Sequence, residues 1–207
     1  GRLKADGLKD KPMSDYDTLA AHRVRQTAAR GHYDRETVHA ILDAGYVAHV
    51  AFMADTGPVA LPMYYVRDGE RVLVHASRKS RFMRKLCEGT PLCLTVTLLD
   101  GLVMARSAFH HSMNYRSVMV HGQGTILSVG EKLAALDLFV ERVERGRSAT
   151  TRKANAQELK ATDVLAIPLE QVVAKVRTGG PIDDAEDMDL PVWAGVIPLT
   201  LVTGAPE

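Results

Sequence analysis

Residues 75 to 86 read HASRKSRFMRKL, and six of these twelve positions carry a positive charge or an imidazole. The stretch follows an apolar run, RVLV, and leads to another, PLCLTV. Such a pattern predicts a strand running out into a short helix that Ser77 or Ser80 can cap. A helix start at a strand end presents unpaired backbone N–H groups. Ser77 and Ser80 add hydroxyls there, and Arg78, Lys79, Arg81 and Arg84 add charge. The guanidinium of Arg81 can grip a phosphate through two parallel hydrogen bonds. This chemistry suits one phosphate monoester. The glycine spacing of a P-loop or a dinucleotide fingerprint is absent, which disfavours ATP and NAD. A solvated helix face would carry the same residue types, and spacing alone leaves both readings open.

A second polar cluster, HHSMNYRS, occupies 110 to 117. Adjacent His110 and His111 point apart on a strand, and no carboxylate or cysteine stands near them at ligand spacing. No metal site is expected there. Either these are hydrogen-bonding loop residues, or Asn114, Tyr115, Arg116 and Ser117 converge on a heterocycle with donor and acceptor edges. Trp193, in LPVWAGVIP, is a packing plug or an aromatic wall over a flat ligand. No Ser–His–Asp order emerges. Cys87 and Cys93 read as reduced, buried thiols of a cytoplasmic protein rather than as nucleophiles.

The elements that position these residues can be traced along the chain. YDRETVHAILDAG predicts a helix capped by Asp34, with Val38, Ile41 and Leu42 in one apolar stripe and Gly45 as its stop. YVAHVAFMA, PVALPMYYV and RVLVHA are three strands of a β-meander, joined at DTG and RDGE. In the basic helix Phe82 and Leu86 fall on one side, and Gly89 ends it. TPLCLTVTLLDGLVMARS is one long strand or two, AFHHSMNYRS an irregular stretch, and VMVHGQGTILSV a strand with a glycine-marked bend. GEKLAALDLFVERVERGR is an amphipathic helix with Leu133, Leu136, Val140 and Val143 sharing a face. TDVLAIPLEQVVAKVRTG closes the set. Six or seven strands joined mostly by hairpins argue for a mainly β fold with peripheral helices, an antiparallel closed or split β-barrel.

At 207 residues, with 46% apolar and 25% charged residues, the chain has the balance of a globular protein. The formal charge of +1 gives no overall pull towards nucleic acid or membrane. No apolar run reaches the length of a membrane span. Residues 1–15 are expected to be a flexible N-terminal segment, with Met13 a candidate native start, and 16–207 one barrel domain with a C-terminal extension.

The string PVALPMYYVRDGERVLVHASRKSRFMRKL, followed by AFHHSMNYRSVMVHG, resembles the FMN-binding split-barrel superfamily of pyridoxamine 5'-phosphate oxidase. Within it, the branch of nitroimidazole-resistance flavoproteins is the most similar. The likeness runs from about Tyr33 to Val176, and LPVWAGVIPL is also typical of that branch. The resemblance implies a homodimer with FMN in clefts at the subunit interface. It places Ser80 and Arg81 on the FMN phosphate, with Phe82 where the family has lysine, so that Arg84 or Lys79 would share the grip. His75 and Ala76 fall where the family has tyrosine and threonine. Leu61, Pro62, Met63 and Tyr64 would run along the isoalloxazine ring, Arg116 and Ser117 would meet the flavin, and Trp193 would cover the partner's flavin.

The oxidases' basic C-terminal motif is missing, and VRTGGPIDDAEDMDLP is acidic instead. A phosphorylated substrate would be repelled there, so pyridoxamine phosphate oxidation is not expected. The expected function is an FMN-dependent oxidoreductase acting on a small planar, nitroaromatic or heterocyclic compound. His75 would supply a proton, orient the substrate or hydrogen-bond the flavin. Two alternatives stay open: a flavin carrier or sensor without turnover, and a haem-binding split barrel with His110, His111 or His121 as ligand.

Overall fold

The computed structural model describes residues 14–207. Of the flexible segment expected at the start, residues 1–13 lie outside the described residues, and so does the candidate start at Met13. In chain order the structure contains β1 (Gly31–His32), α1 (Arg35–Ala44), β2 (Val47–Ala54), β3 (Gly57–Asp68) and β4 (Arg71–Ser77). Then come α2 (Arg81–Cys87), β5 (Leu92–Met104), β6 (Ser112–Gly122), β7 (Thr125–Ile126) and α3 (Val129–Val143). The short helices α4 (Arg147–Thr150) and α5 (Ala156–Ala161) lead to β8 (Thr162–Pro168), β9 (Gln171–Arg177) and β10 (Gly195–Pro198).

All strand pairings are antiparallel. The ten strands form one sheet in the order β1-β9-β6-β5-β2-β3-β4-β8-β7, with β10 added to β5. The sheet is open at β1 and β7, as a split barrel is, and the mainly antiparallel fold with peripheral helices agrees with the expectation. The strands beyond the expected six or seven are β1 and β7, of two residues each, and β10, of four. Such short pairings are set by their neighbours and leave little periodicity of their own.

Two apolar clusters explain why some strands alternate and others do not. The larger one fills the inside of the curved sheet. There Val72 and Val74 of β4 and Leu165 and Ile167 of β8 meet Met83 and Leu86 of α2 and Val38, Ile41 and Leu42 of α1. The smaller one lies on the other face, where Leu73, Val164 and Ala166 meet Ala135 and Phe139 of α3. Strands β4 and β8 are therefore covered on both sides, which is why they read as continuous apolar runs.

Local rules hold at α1, where Thr37 N–H donates to Asp34 Oδ1 at 2.8 Å. Gly45 follows with an extended backbone, φ −89°. Its lack of a side chain matters for space, because a Cβ there would lie 2.6 Å from Tyr65 Oη.

Four expectations are corrected. In α3 the buried residues are Lys132, Ala135 and Phe139, while Leu133 and Val143 are 36% and 69% exposed. The large Phe139 and the polar anchoring of Lys132, whose Nζ donates to Thr162 O at 2.7 Å and to Asp163 Oδ1 at 3.2 Å, set the helix rotation. The stretch expected to be irregular up to residue 117 is strand from Ser112, because β5 and β9 flank it with free ladder groups. In α2, Met83 joins Leu86 in full burial and Phe82 is only partly buried. Cys87 is exposed and Cys93 half-buried, both as free thiols; Cys87 ends α2 on the side away from the core.

Candidate functional site

The turn from β4 into α2 is built by its own serines. Ser80 caps the helix, its Oγ accepting from Met83 N–H at 3.4 Å. Ser77 Oγ accepts from Lys79 N–H at 3.3 Å, and Ser77 O accepts from Ser80 N–H at 2.9 Å. Arg78 N–H donates to Ala161 O at 2.9 Å, tying the turn to α5. Both hydroxyls thus shape the turn as acceptors, leaving the N–H groups of Arg81 and Phe82 at the open helix start. Arg78 stands 3.9 Å from Asp163, and Lys85 contacts Asp55 at 2.9 Å and Glu88 at 3.6 Å. Among the described residues, Lys79, Arg81 and Arg84 have no carboxylate partner.

Arg81 borders a cavity of about 410 Å³ between the β2–β3 hairpin and α2. Its wall is apolar at Phe52, Val59, Leu61 and Phe82, and polar at Thr56, Lys85 and Asp55, whose carboxylate is held by Lys85 at 2.9 Å. The size falls in the range of small-molecule sites. Of the site residues read from the sequence, Leu61 and Arg81 meet here. Lys85 was not among them, although it lies one helical turn beyond Arg81, a spacing that puts both on one side of α2.

The other expected residues divide between the two faces of the sheet. Met63 and Ala76 pack with the interior cluster, on the same side as Leu61. Pro62, Tyr64 and His75 alternate to the opposite face. There the His75 ring packs edge to face on Phe139 at 4.5 Å, and the Tyr64 ring does so at 5.5 Å. Tyr64 Oη also donates to Phe139 O at 3.0 Å. Burial pushes the His75 imidazole below its ordinary pKa. His75 and the Arg81 cavity are therefore not brought together within one subunit.

The 114–117 group is engaged inside the protein. Asn114 accepts from Arg177 Nη1 and donates to Gly179 O at 3.0 Å. Arg116 makes two parallel bonds of 2.8 Å to Asp100, which a bulge between Leu99 and Gly101 turns toward it. Ser117 Oγ donates to Lys175 O at 3.3 Å. Trp193 is 64% exposed and lies over Gly195, where a Cβ would come within 2.9 Å of its ring. The acidic tail is partly neutralised: Asp183 binds Arg106 at 3.0 Å and Asp184 meets His110 at 3.1 Å. His111 bonds to Ser107 O, and His121 stacks on His22 at 4.0 Å. Among the described residues, no three His, Cys, Asp or Glu side chains form a metal-binding group, and no helix is long and apolar enough to cross a membrane.

A family profile described as pyridoxamine 5'-phosphate oxidase matches residues 34–176, more than half of the chain. The chain belongs to the pyridoxamine 5'-phosphate oxidase family. Several solved structures are similar to the chain. The flavocytochrome Anf3 from Azotobacter vinelandii is 39% identical, over 91% of this chain and 88% of its own, with a TM-score of 0.87. An FAD and haem binding protein from Mycobacterium smegmatis is 37% identical, over 86% of this chain and 88% of its own, with a TM-score of 0.83. A protein from Bacteroides thetaiotaomicron assigned to 5-nitroimidazole antibiotic resistance is 19% identical, over 70% of this chain and 86% of its own, with a TM-score of 0.60. That last likeness is one of fold. No curated protein matches the chain.

Proposed function

We propose that this member of the pyridoxamine 5'-phosphate oxidase family is a flavin-dependent oxidoreductase that also binds haem. The observation that carries the flavin part is the cavity at the start of α2, which joins an apolar wall to Arg81. An apolar slot beside an uncompensated guanidinium and open helix N–H groups fits a flat ring system with a phosphate tail. Lys79 and Arg84 are free to add to that grip, as the family pattern implies. The relative that binds FAD favours FAD over the FMN expected from the sequence. The flavin-side phosphate is common to both, so the role of Ser80 and Arg81 is unchanged.

The haem part rests on the two relatives of 37–39% identity and on the state of the histidines. A haem ligand must be a neutral imidazole with a free nitrogen. His110 and His111 each use one ring nitrogen in a hydrogen bond and keep the other, and His121 only stacks on His22. His75 has no hydrogen-bond partner among the described residues, and its burial favours the neutral ring. Phe139, on which it packs, also lines a groove of about 540 Å³ with Tyr64, Val140, Val143 and Arg147. His75, packed on a residue that lines this groove, is the one that would hold the haem iron, in place of the acid–base role read from the sequence. Flavin and haem together supply a link between two-electron and one-electron carriers. A second copy of the chain is proposed to cover the outer sheet face, where Val47, Met53, Leu99 and Met113 are exposed.

An absorbance spectrum of protein expressed with ample haem and flavin tests the reading. Both a flavin band and a Soret band are expected. Arg81→Ala should lose the first and keep the second, and His75→Ala the reverse. A colourless wild-type protein would overturn the proposal.

A further inference from the structure

Arg177, the last residue of β9, is 6% exposed and has no carboxylate partner among the described residues. A buried charge without a counter-ion is costly, and proteins seldom keep one unless something neutralises it. The side chain is held in place by neutral acceptors: Asn114 Oδ1, itself in a residue 8% exposed, and Gly180 O at 3.4 Å. Asn114 is oriented in turn by its bond to Gly179 O. Two bonded acceptors leave part of the five-donor guanidinium fork unused.

The surroundings add positive charge rather than cancel it. Burial and then the charge of Arg30 hold the Arg177 pKa down, and Arg30 has no acidic partner among the described residues. Lys175, two residues back on the same face of β9, is half-buried and also without one. Its register partners are Gly31, next to Arg30, and Ser117. Tyr115 stands directly opposite Arg177, and its hydroxyl has no hydrogen-bond partner among the described residues. Arg30 ends a turn that begins at Thr27, whose φ of 55° makes it the one described non-glycine residue in the left-handed region. For a β-branched residue that conformation is strained. Beside the cluster, a Cβ on Gly179 or Gly180 would meet nothing within 4 Å, so the space there is open.

We propose that Arg177, Arg30, Lys175 and the Tyr115 hydroxyl form a binding site for a phosphate group. Two guanidiniums and an ammonium with no acid among them match a dianion, and arginine forks fit its oxygens in pairs. Asn114 is a positioning residue that orients Arg177. The site lies at the β9 side of the sheet, with four strands between it and β4, from which the Arg81 turn emerges. It is therefore separate from the first anchor and does not depend on flavin binding. The two phosphates of FAD are bonded to each other, so a site separate from the Arg81 anchor takes the phosphate of a second ligand.

The test compares wild type, Arg30→Gln and Arg177→Lys by two readouts. One is the rise in thermal midpoint with inorganic phosphate against chloride of equal ionic strength. The other is the preference for FAD over FMN when the protein is reconstituted with each. Arg30 is half-buried on a turn, so its variant keeps the test valid if the Arg177 variant fails to fold. Losing one charged hydrogen bond should weaken phosphate binding roughly tenfold or more. A weakened phosphate response with unchanged flavin preference assigns the site to a separate ligand. A loss of FAD with FMN retained would mean that both anchors hold one pyrophosphate, and the claim of a separate site would fall. If neither readout changes in Arg30→Gln, the proposal is wrong.

Discussion

The imidazole of His75 meets the ring of Phe139 edge to face, with centroids 4.5 Å apart and planes at 79°. This contact places a titratable ring in the apolar seam between the sheet and α3. Burial lowers its pKa from the ordinary 6.5. Below that value the unfolded chain therefore takes up a proton that the folded protein resists. The associated stability is present above pH 6.5 and lost as the pH falls towards the lowered folded value. His39 and His121 shift in the same direction. Urea unfolding across this range should show falling stability, with a shallower slope in His75→Leu. Identical slopes in the two proteins would remove the argument from burial.

Arg81 is exposed and free of ion pairs among the described residues, so its removal should cost little stability, within about 0.5 kcal/mol. Flavin affinity should nevertheless fall roughly tenfold or more in Arg81→Ala, the value of a charge-assisted hydrogen bond. Ser80→Ala differs in kind. It removes the α2 cap and should cost about 1 kcal/mol of stability as well. Fluorescence titration of apoprotein with flavin, paired with thermal unfolding, separates the two effects.

Lys132 is buried against Asp163, and its Nζ also donates to Leu159 O at 3.2 Å and Thr162 O at 2.7 Å. The pair fastens α3 to the junction of α5 and β8. Lys132→Met should cost about 3 kcal/mol, because it leaves the buried carboxylate with only Arg78, at 3.9 Å, for a counter-charge. Adding Asp163→Asn to that variant should restore part of the loss. Chemical denaturation of the single and double variants gives the coupling directly, and strictly additive losses would contradict the clamp.

Gly45→Ala would bring a methyl group 2.6 Å from Tyr65 Oη and 2.9 Å from Val96 Cγ1. Tyr65 is fully buried and donates to Leu42 O at 2.6 Å, so it has nowhere to retreat. Overpacking of this kind costs about 1–3 kcal/mol. The thermal midpoint should drop while the sheet signal in circular dichroism persists below it.

What could be read from the chain alone was whatever depends on near neighbours. Caps at Asp34 and Ser80, the β-meander and the basic start of α2 are set by spacing within a few residues, where periodicity and turn chemistry act. The family motifs are likewise contiguous strings, which is why they were legible. What only the tertiary structure decided was which side each residue faces and what lies opposite. The alternation of β3 and β4 sends Leu61 inward and His75 outward, so two residues expected at one flavin ended on opposite faces. Arg116 looked free for a ligand until a bulge sixteen residues earlier in the chain supplied Asp100. The rotation of α3 was misread because its exposed stripe is as apolar as its buried one. Helical period fixes an angle between residues on one helix, but the partner surface, brought in from β4 and β8, chooses which angle faces the core.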